Sequence, residues 1–101
     1  MASISAPSRT IRYRTAPELR VREIPEMACC LVYSPAHAEL FTLNPLAWFV
    51  FRACEGRREA QIAAAYAAAM KPLLSSREAA GRVRGALRGL QDMGIVLPDR
   101  D

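Results

Sequence analysis

The sequence predicts an α+β fold in which a three-stranded antiparallel sheet is followed by three helices. Three observations indicate this order. Residues 19–43 contain three strand-like segments separated by turn signals. Asn44-Pro45 then opens a strongly apolar helical segment, and a capping box that runs from Ser75 to Glu78 opens an amphipathic one.

The strands are predicted from side-chain alternation. The first, residues 19–24, alternates apolar and charged side chains, and the second, residues 27–33, is apolar on both faces, as a central strand covered on both sides would be. The third is predicted over residues 37–43. One of its faces carries Ala38, Leu40 and Thr42, and the other carries Glu39, Phe41 and Leu43.

The first helix is predicted over residues 45–55, with Asn44 as its N-cap and Gly56 at its end. It is apolar on almost all sides. Trp48 and Phe49 are therefore expected to be buried at the centre of the core.

The second and third helices are predicted over residues 58–70 and 76–93. The third has an apolar stripe, which faces the core and consists of Ala79, Val83, Ala86, Leu87 and Leu90. A polar column on one flank consists of Arg77, Arg84, Arg88 and Gln91. Gly81, Gly85 and Gly89 lie away from the core. Two interpretations stay open: another backbone approaches the helix closely along these glycines, or the glycines only reflect the Ala-, Arg- and Gly-rich composition of the chain.

The net charge of +4 is concentrated near the start of the chain. Residues 1–16 contain Arg9, Arg12 and Arg14 and no acid, so the rest of the chain is nearly neutral. We predict a flexible basic N-terminal tail over residues 1–16, a folded domain over 17–98 and a C-terminal tail over 99–101.

The longest apolar run, residues 46–51, is far too short to span a membrane. The first residues also lack the pattern of a signal peptide, so a cytoplasmic location is the default expectation.

Residues that carry chemistry are few. The spacing of Cys29, Cys30 and Cys54 matches neither a zinc site nor a CxxC redox pair, so buried thiols are expected. His37 is the single histidine and lies beside a turn signal. We therefore predict no catalytic, metal or cofactor site and expect that the chain is not an enzyme.

The third strand is predicted to lie at an edge of the sheet, where unpaired backbone groups are either covered or receive another strand. It contains no Pro and no Lys, and Glu39 is its only charged residue. Two outcomes stay open: a peptide adds to this edge, or the tail or a neighbouring element covers it.

Four segments, in this order, resemble the PqqD-like family, whose domains are also called recognition elements for ribosomally synthesised and post-translationally modified peptides. They are Leu43-Asn44-Pro45-Leu46-Ala47, Cys54-Glu55-Gly56, Arg58-Glu59-Ala60-Gln61-Ile62-Ala63 and Leu87-Arg88-Gly89-Leu90-Gln91-Asp92-Met93-Gly94-Ile95-Val96. The resemblance covers about residues 17–98. It implies a winged-helix-like fold and non-catalytic binding of the leader region of a precursor peptide. The domain would then present that peptide to a modifying enzyme such as a radical-SAM, ATP-grasp, cyclodehydratase or protease protein.

The resemblance also implies a site. It places the leader peptide as an added strand beside residues 37–43, in a cleft bordered by the third helix. The implied peptide-binding residues are Ala38, Glu39, Leu40, Phe41, Thr42, Val83, Arg84, Leu87, Arg88 and Gln91. Arg84 and Arg88 suit a leader carboxylate, and Arg82 lies on the opposite flank. The pattern does not establish which flank meets the strand.

Two other functions stay open. In a winged-helix DNA-binding protein, Arg82, Arg84 and Arg88 would face the phosphate backbone. The nearly neutral body and the acids Glu78 and Asp92 on the same helix argue against nucleic acid as the partner. A structural subunit of an enzyme complex, which binds its partner protein and no peptide, is also compatible with the sequence.

Overall fold

The computed structural model describes residues 11–100, without the side chain of Arg100. Its elements are β1 (Ile11–Thr15), β2 (Arg20–Ile24), β3 (Cys29–Ser34), β4 (Glu39–Leu43), α1 (Pro45–Ala53), β5 (Glu55–Arg58), α2 (Glu59–Met70), α3 (Ser76–Asp92) and β6 (Val96–Arg100). The strands form two antiparallel three-stranded sheets, ordered β2-β3-β4 and β5-β1-β6. The predicted fold class, with three antiparallel strands followed by three helices, is confirmed, and the second sheet is an addition to it.

The β2-β3-β4 sheet follows the predicted meander, and each of its strands is shorter than predicted. Pro25–Met27 form a turn of 3-10 helix, and Ala28 follows in the left-handed conformation at φ 52°, so β3 starts later than predicted. Residues 35–38 form the next turn, in which Ala38 also has φ 52°. Ala38, which the resemblance placed in the peptide-binding strand, therefore lies in the turn before β4.

The β5-β1-β6 sheet was not predicted. β1 is its central strand and carries Tyr13, which is buried, although residues 11–15 were assigned to the flexible tail. Asp99 and Arg100, assigned to the C-terminal tail, extend β6, and β5 occupies the place where the first helix was expected to end. The rest of the predicted N-terminal tail, residues 1–10, and Asp101 lie outside the described residues.

The helices begin where the sequence predicts and pack around a common core. The backbone N–H of Ala47 donates to Asn44 Oδ1 at 2.8 Å, which caps α1. The N–H of Glu78 donates to Ser75 Oγ at 3.1 Å, and the N–H of Ser75 donates to Glu78 Oε1 at 2.9 Å, which confirms the capping box of α3. The core is formed mainly by Val32, Leu43, Val50, Ile62, Val83, Leu87, Leu90 and Ile95.

The centre of α1 differs from the expectation. Val50 and Phe51 are buried, but Trp48 and Phe49 are only half-buried. The Phe49 ring packs edge-to-face on Tyr66 with the ring centres 5.2 Å apart. The indole N–H of Trp48 donates to Glu23 Oε2 at 3.3 Å in an exposed hydrogen bond. This side of α1 therefore lies at the protein surface.

The interior glycines of α3 have no packing role within the described part of the chain. A Cβ at Gly81, Gly85 or Gly89 would meet no atom within 4 Å. Gly94 differs, because it has φ 77° and an added Cβ would lie 3.1 Å from His37 Cε1. The left-handed backbone and the close ring both require glycine at the end of α3.

We expect Gly81→Ala and Gly85→Ala each to raise the free energy of unfolding by about 0.5–1 kcal/mol, because alanine is the better helix former and the space is open. Gly94→Ala should instead lower it, since alanine is strained at positive φ. Thermal denaturation of the three variants measures whether each substitution raises or lowers the free energy of unfolding. Destabilisation by Gly81→Ala would show that something packs on this face of the helix.

Candidate functional site

The free edge of β4 is the first component of the candidate site. Among the described residues, β4 pairs with β3 alone, so the backbone groups on its other side have no strand partner. Glu39, Leu40 and Thr42 are exposed, and Leu40 retains 62% of its accessible surface. Phe41 points to the face opposite Leu40 and Thr42, where it is half-buried against the core. The predicted strand edge is therefore present over residues 39–43.

The second component is α3, and one ion pair establishes its orientation. Arg84 Nε donates to Glu59 Oε2 at 3.1 Å, and Glu59 begins α2. The flank that carries Arg84 therefore faces α2 and not β4. This pairing also takes part of the Arg84 charge away from any phosphate, which weakens the DNA-binding interpretation.

The other polar residues of this flank lie with Arg84. A cavity of about 310 Å³ is lined by Tyr13, Glu59, Arg84, Leu87, Arg88, Gln91 and Asp92. Burial, and secondarily the charge of Glu59, raises the pKa of the Tyr13 hydroxyl there. Arg84, Arg88 and Gln91 are thus brought together as predicted, but beside β1 and α2 instead of the strand edge.

Two more of the residues implied to contact the peptide, Val83 and Leu87, lie in the protein interior. Val83 is 0% exposed and Leu87 is 2% exposed, so neither presents surface to a peptide. The sequence assigned both residues to the core stripe and also to the cleft. Their burial confirms the first role and is incompatible with direct peptide contact in this structure.

The opposite flank of α3 is turned away from α2. At 100° per residue it carries Arg82, Ala86 and Met93, and the last two are half-buried against the core, as Phe41 is. The end of the same helix lies close to the turn before β4, because a Cβ added at Gly94 would lie 3.1 Å from His37 Cε1. The end of α3 therefore lies near the start of β4, and Phe41, Ala86 and Met93 pack against the same core.

Two of the three thiols are buried, and the histidine lies at the turn before β4. Burial raises the pKa of Cys54 to about 12 and also raises the pKa of Cys30, so both are protonated thiols at neutral pH. His37 Nδ1 lies 3.1 Å from Ser34 Oγ. Cys30 and Cys54 are buried as predicted, whereas Cys29 is half-buried.

Residues 11–100 contain no group of three or more His, Cys, Asp or Glu side chains placed to hold a metal ion. Within the same range, no helix combines the length and the apolar character that crossing a bilayer requires.

Comparisons with known proteins agree with this architecture. A solved structure titled "TbiB1 in Complex with the TbiA(beta) Leader Peptide" matches with a TM-score of 0.72 and 16% identity, over 87% of this chain and 99% of that chain. At that identity, the likeness shows the fold. No curated protein sequence matches the chain significantly. The family model described as "Coenzyme PQQ synthesis protein D (PqqD)" matches residues 29–96, which is more than half of the chain. The chain therefore belongs to the PqqD family.

Proposed function

We propose that this domain binds the leader region of a ribosomally synthesised precursor peptide, without catalysis, and presents the peptide to a modifying enzyme. The observation that carries the proposal is the free backbone edge of β4. Membership of the PqqD family supports it, and so does a fold shared with TbiB1, whose structure contains a leader peptide.

The leader adds to β4 as an antiparallel strand over residues 39–43. Backbone hydrogen bonds along the edge supply affinity for any sequence, and side-chain pockets supply selectivity. Because strand side chains alternate, we expect every second leader residue to face the cleft implied between β4 and α3, where it would meet Phe41, Ala86 or Met93. The leader should therefore carry apolar residues at alternate positions.

Arg82 supplies the charge on this flank of α3. It is exposed, and a guanidinium binds a carboxylate with two parallel hydrogen bonds. We therefore expect at least one Asp or Glu in the leader, on the side that faces α3. We propose Arg82 for this role in place of Arg84 and Arg88, which line the cavity beside Tyr13 and Glu59.

Chemistry is left to the partner enzyme. The buried thiols are protonated, and they are too enclosed to reach a peptide bound at β4. The partner would be a radical-SAM, ATP-grasp, cyclodehydratase or protease protein, as the resemblance implies. Incubation of a precursor with this domain alone should therefore leave the mass of the precursor unchanged.

Amide hydrogen exchange tests the proposed strand. In the free domain, every second amide of residues 39–43 should exchange rapidly, since it points away from β3. A synthetic leader-like peptide, with apolar residues at alternate positions and one Glu, should slow those amides by about tenfold or more.

The amides of β2 provide the control. β2 is the other edge of the same sheet, so its exchange should stay unchanged when the leader binds. Protection that appears at β2, or around the cavity lined by Tyr13 and Arg88, would contradict the proposed site.

A further inference from the structure

The side of the β2-β3-β4 sheet that faces away from the helices has an unusual composition. An antiparallel sheet with one solvated face normally alternates apolar residues inward and polar residues outward. The strand register places eight residues on the outward side, which we call the outer face: Arg20, Arg22, Ile24, Cys29, Leu31, Tyr33, Leu40 and Thr42. Five of these eight are apolar or aromatic.

Nothing in the described part of the chain packs on the outer face as a core would. Helix α1 contacts β3 and β4 on the opposite side, where Cys30, Val32 and Leu43 are fully buried. None of the five apolar residues of the outer face belongs to the core or packs against it. The sequence predicted a strand at 27–33 that is covered on both sides, and residues 11–100 cover it on one side.

The charges of the outer face have one sign. Arg20 and Arg22 are both exposed, and among the described residues neither forms an ion pair. The register places no acidic side chain on this face. An occupant that neutralises it must therefore bring carboxylates together with apolar side chains.

We infer that the outer face is the docking surface for the modifying enzyme, which presents an acidic amphipathic element to it. Apolar side chains of that element cover Leu31 and Tyr33, and its carboxylates pair with Arg20 and Arg22. This inference rests on the proposed function, since it names the surface through which the leader reaches the enzyme.

Two other occupants lack the required charge. A second copy of the chain that used the same face would bring the same two arginines and no acid, so like charges would meet. Residues 1–10 contain Arg9 and no acid, so this segment offers no carboxylate either. An acidic partner meets both the charge and the apolar surface.

The surface is continuous with the leader site. A leader that adds to β4 extends the sheet by one strand, and its outward side chains lie beside Leu40 and Thr42. The enzyme then contacts the domain and the leader together. Its affinity for the domain should therefore rise when the leader is bound.

The test uses the full chain and a synthetic 16-residue helical peptide as the probe, with Leu along one stripe and Glu on either side. Titration into the labelled chain should shift the amides of residues 20–24 and 29–33 most. A peptide with Lys in place of Glu should bind at least tenfold more weakly. Arg20→Glu with Arg22→Glu should lower affinity for the acidic peptide at least tenfold, while Lys71→Glu with Arg77→Glu, the same change in net charge, should not.

Several outcomes would overturn the inference. One is that the amide shifts concentrate on the groove lined by Trp48, Phe49 and Arg57. A second is that the chain dimerises with increasing concentration and the Arg20/Arg22 variant does not. A third is that the chain binds vesicles of 3:1 phosphatidylcholine and phosphatidylglycerol and does not bind the peptide. Leader titration of the Arg20/Arg22 variant separates the two proposals. If the leader binds wild type and variant equally but the acidic peptide binds neither, this inference fails alone; if the leader does not bind wild type, the proposed function fails.

Discussion

Arg82→Glu should weaken leader binding by about tenfold or more, whereas Arg88→Glu should leave the affinity within about twofold. Arg82 lies on the flank of α3 opposite Arg84, the flank that we propose borders the leader, and Arg88 lines the cavity beside β1 and α2. A hydrogen bond to a charged group contributes about 1.5–3 kcal/mol, which corresponds to a tenfold or larger change in the dissociation constant. From the sequence, Arg88 was expected to bind the leader carboxylate, and Arg82 was expected to lie on the opposite flank.

Isothermal titration with the synthetic leader measures both variants. Each side chain is exposed and each substitution changes the net charge equally, so equal melting temperatures would show that folding is unaffected. A leader in which its acidic residue is replaced by Lys should regain affinity for Arg82→Glu and lose affinity for wild type. Loss of binding in Arg88→Glu with none in Arg82→Glu would restore the original assignment.

The helices could be predicted because their signals are local. Asn44 and the pair Ser75 and Glu78 satisfy backbone groups within three residues of themselves, so these caps do not depend on the rest of the fold. The second sheet has no such signal. β1 pairs with β5 and β6, which lie more than 40 residues away along the chain. Its one trace was the alternation of Ile11, Tyr13 and Thr15 with arginines, a pattern that a basic tail also shows.

The candidate site was likewise predictable in one part, the strand edge, and not in the other, the orientation of α3. The open strand edge follows from the order of a meander and from residue types, and the structure places β4 at that edge. A helical wheel fixes angles between residues of one helix but not the neighbour that each flank meets. The Arg84–Glu59 ion pair carries that information, because it turns one flank toward α2. Nothing in the local pattern of α3 predicts a partner 25 residues away.

Deletion of residues 1–15 should strongly destabilise the domain, in contrast to the sequence-based expectation that residues 1–16 form a flexible tail. The deletion removes β1, the central strand of the β5-β1-β6 sheet, and with it Tyr13, which is 7% exposed. Truncation of a buried aromatic side chain alone costs about 3–5 kcal/mol, and small domains have a total stability of about 5–15 kcal/mol. We therefore expect a melting temperature lowered by ten degrees or more, or no cooperative transition.

Deletion of residues 1–10 is the matched control, because it leaves β1 and all its pairs intact. The difference in the free energy of unfolding between the two truncations isolates β1, and denaturant titration measures it. Tyr13→Ala in the full chain should account for a large part of that difference, since Tyr13 contributes the buried side chain of the strand. Equal stability of the two truncated chains would show that the β5-β1-β6 sheet does not support the fold. In that case residues 11–15 would belong to the tail after all, and the leader-binding half of the domain would fold without them.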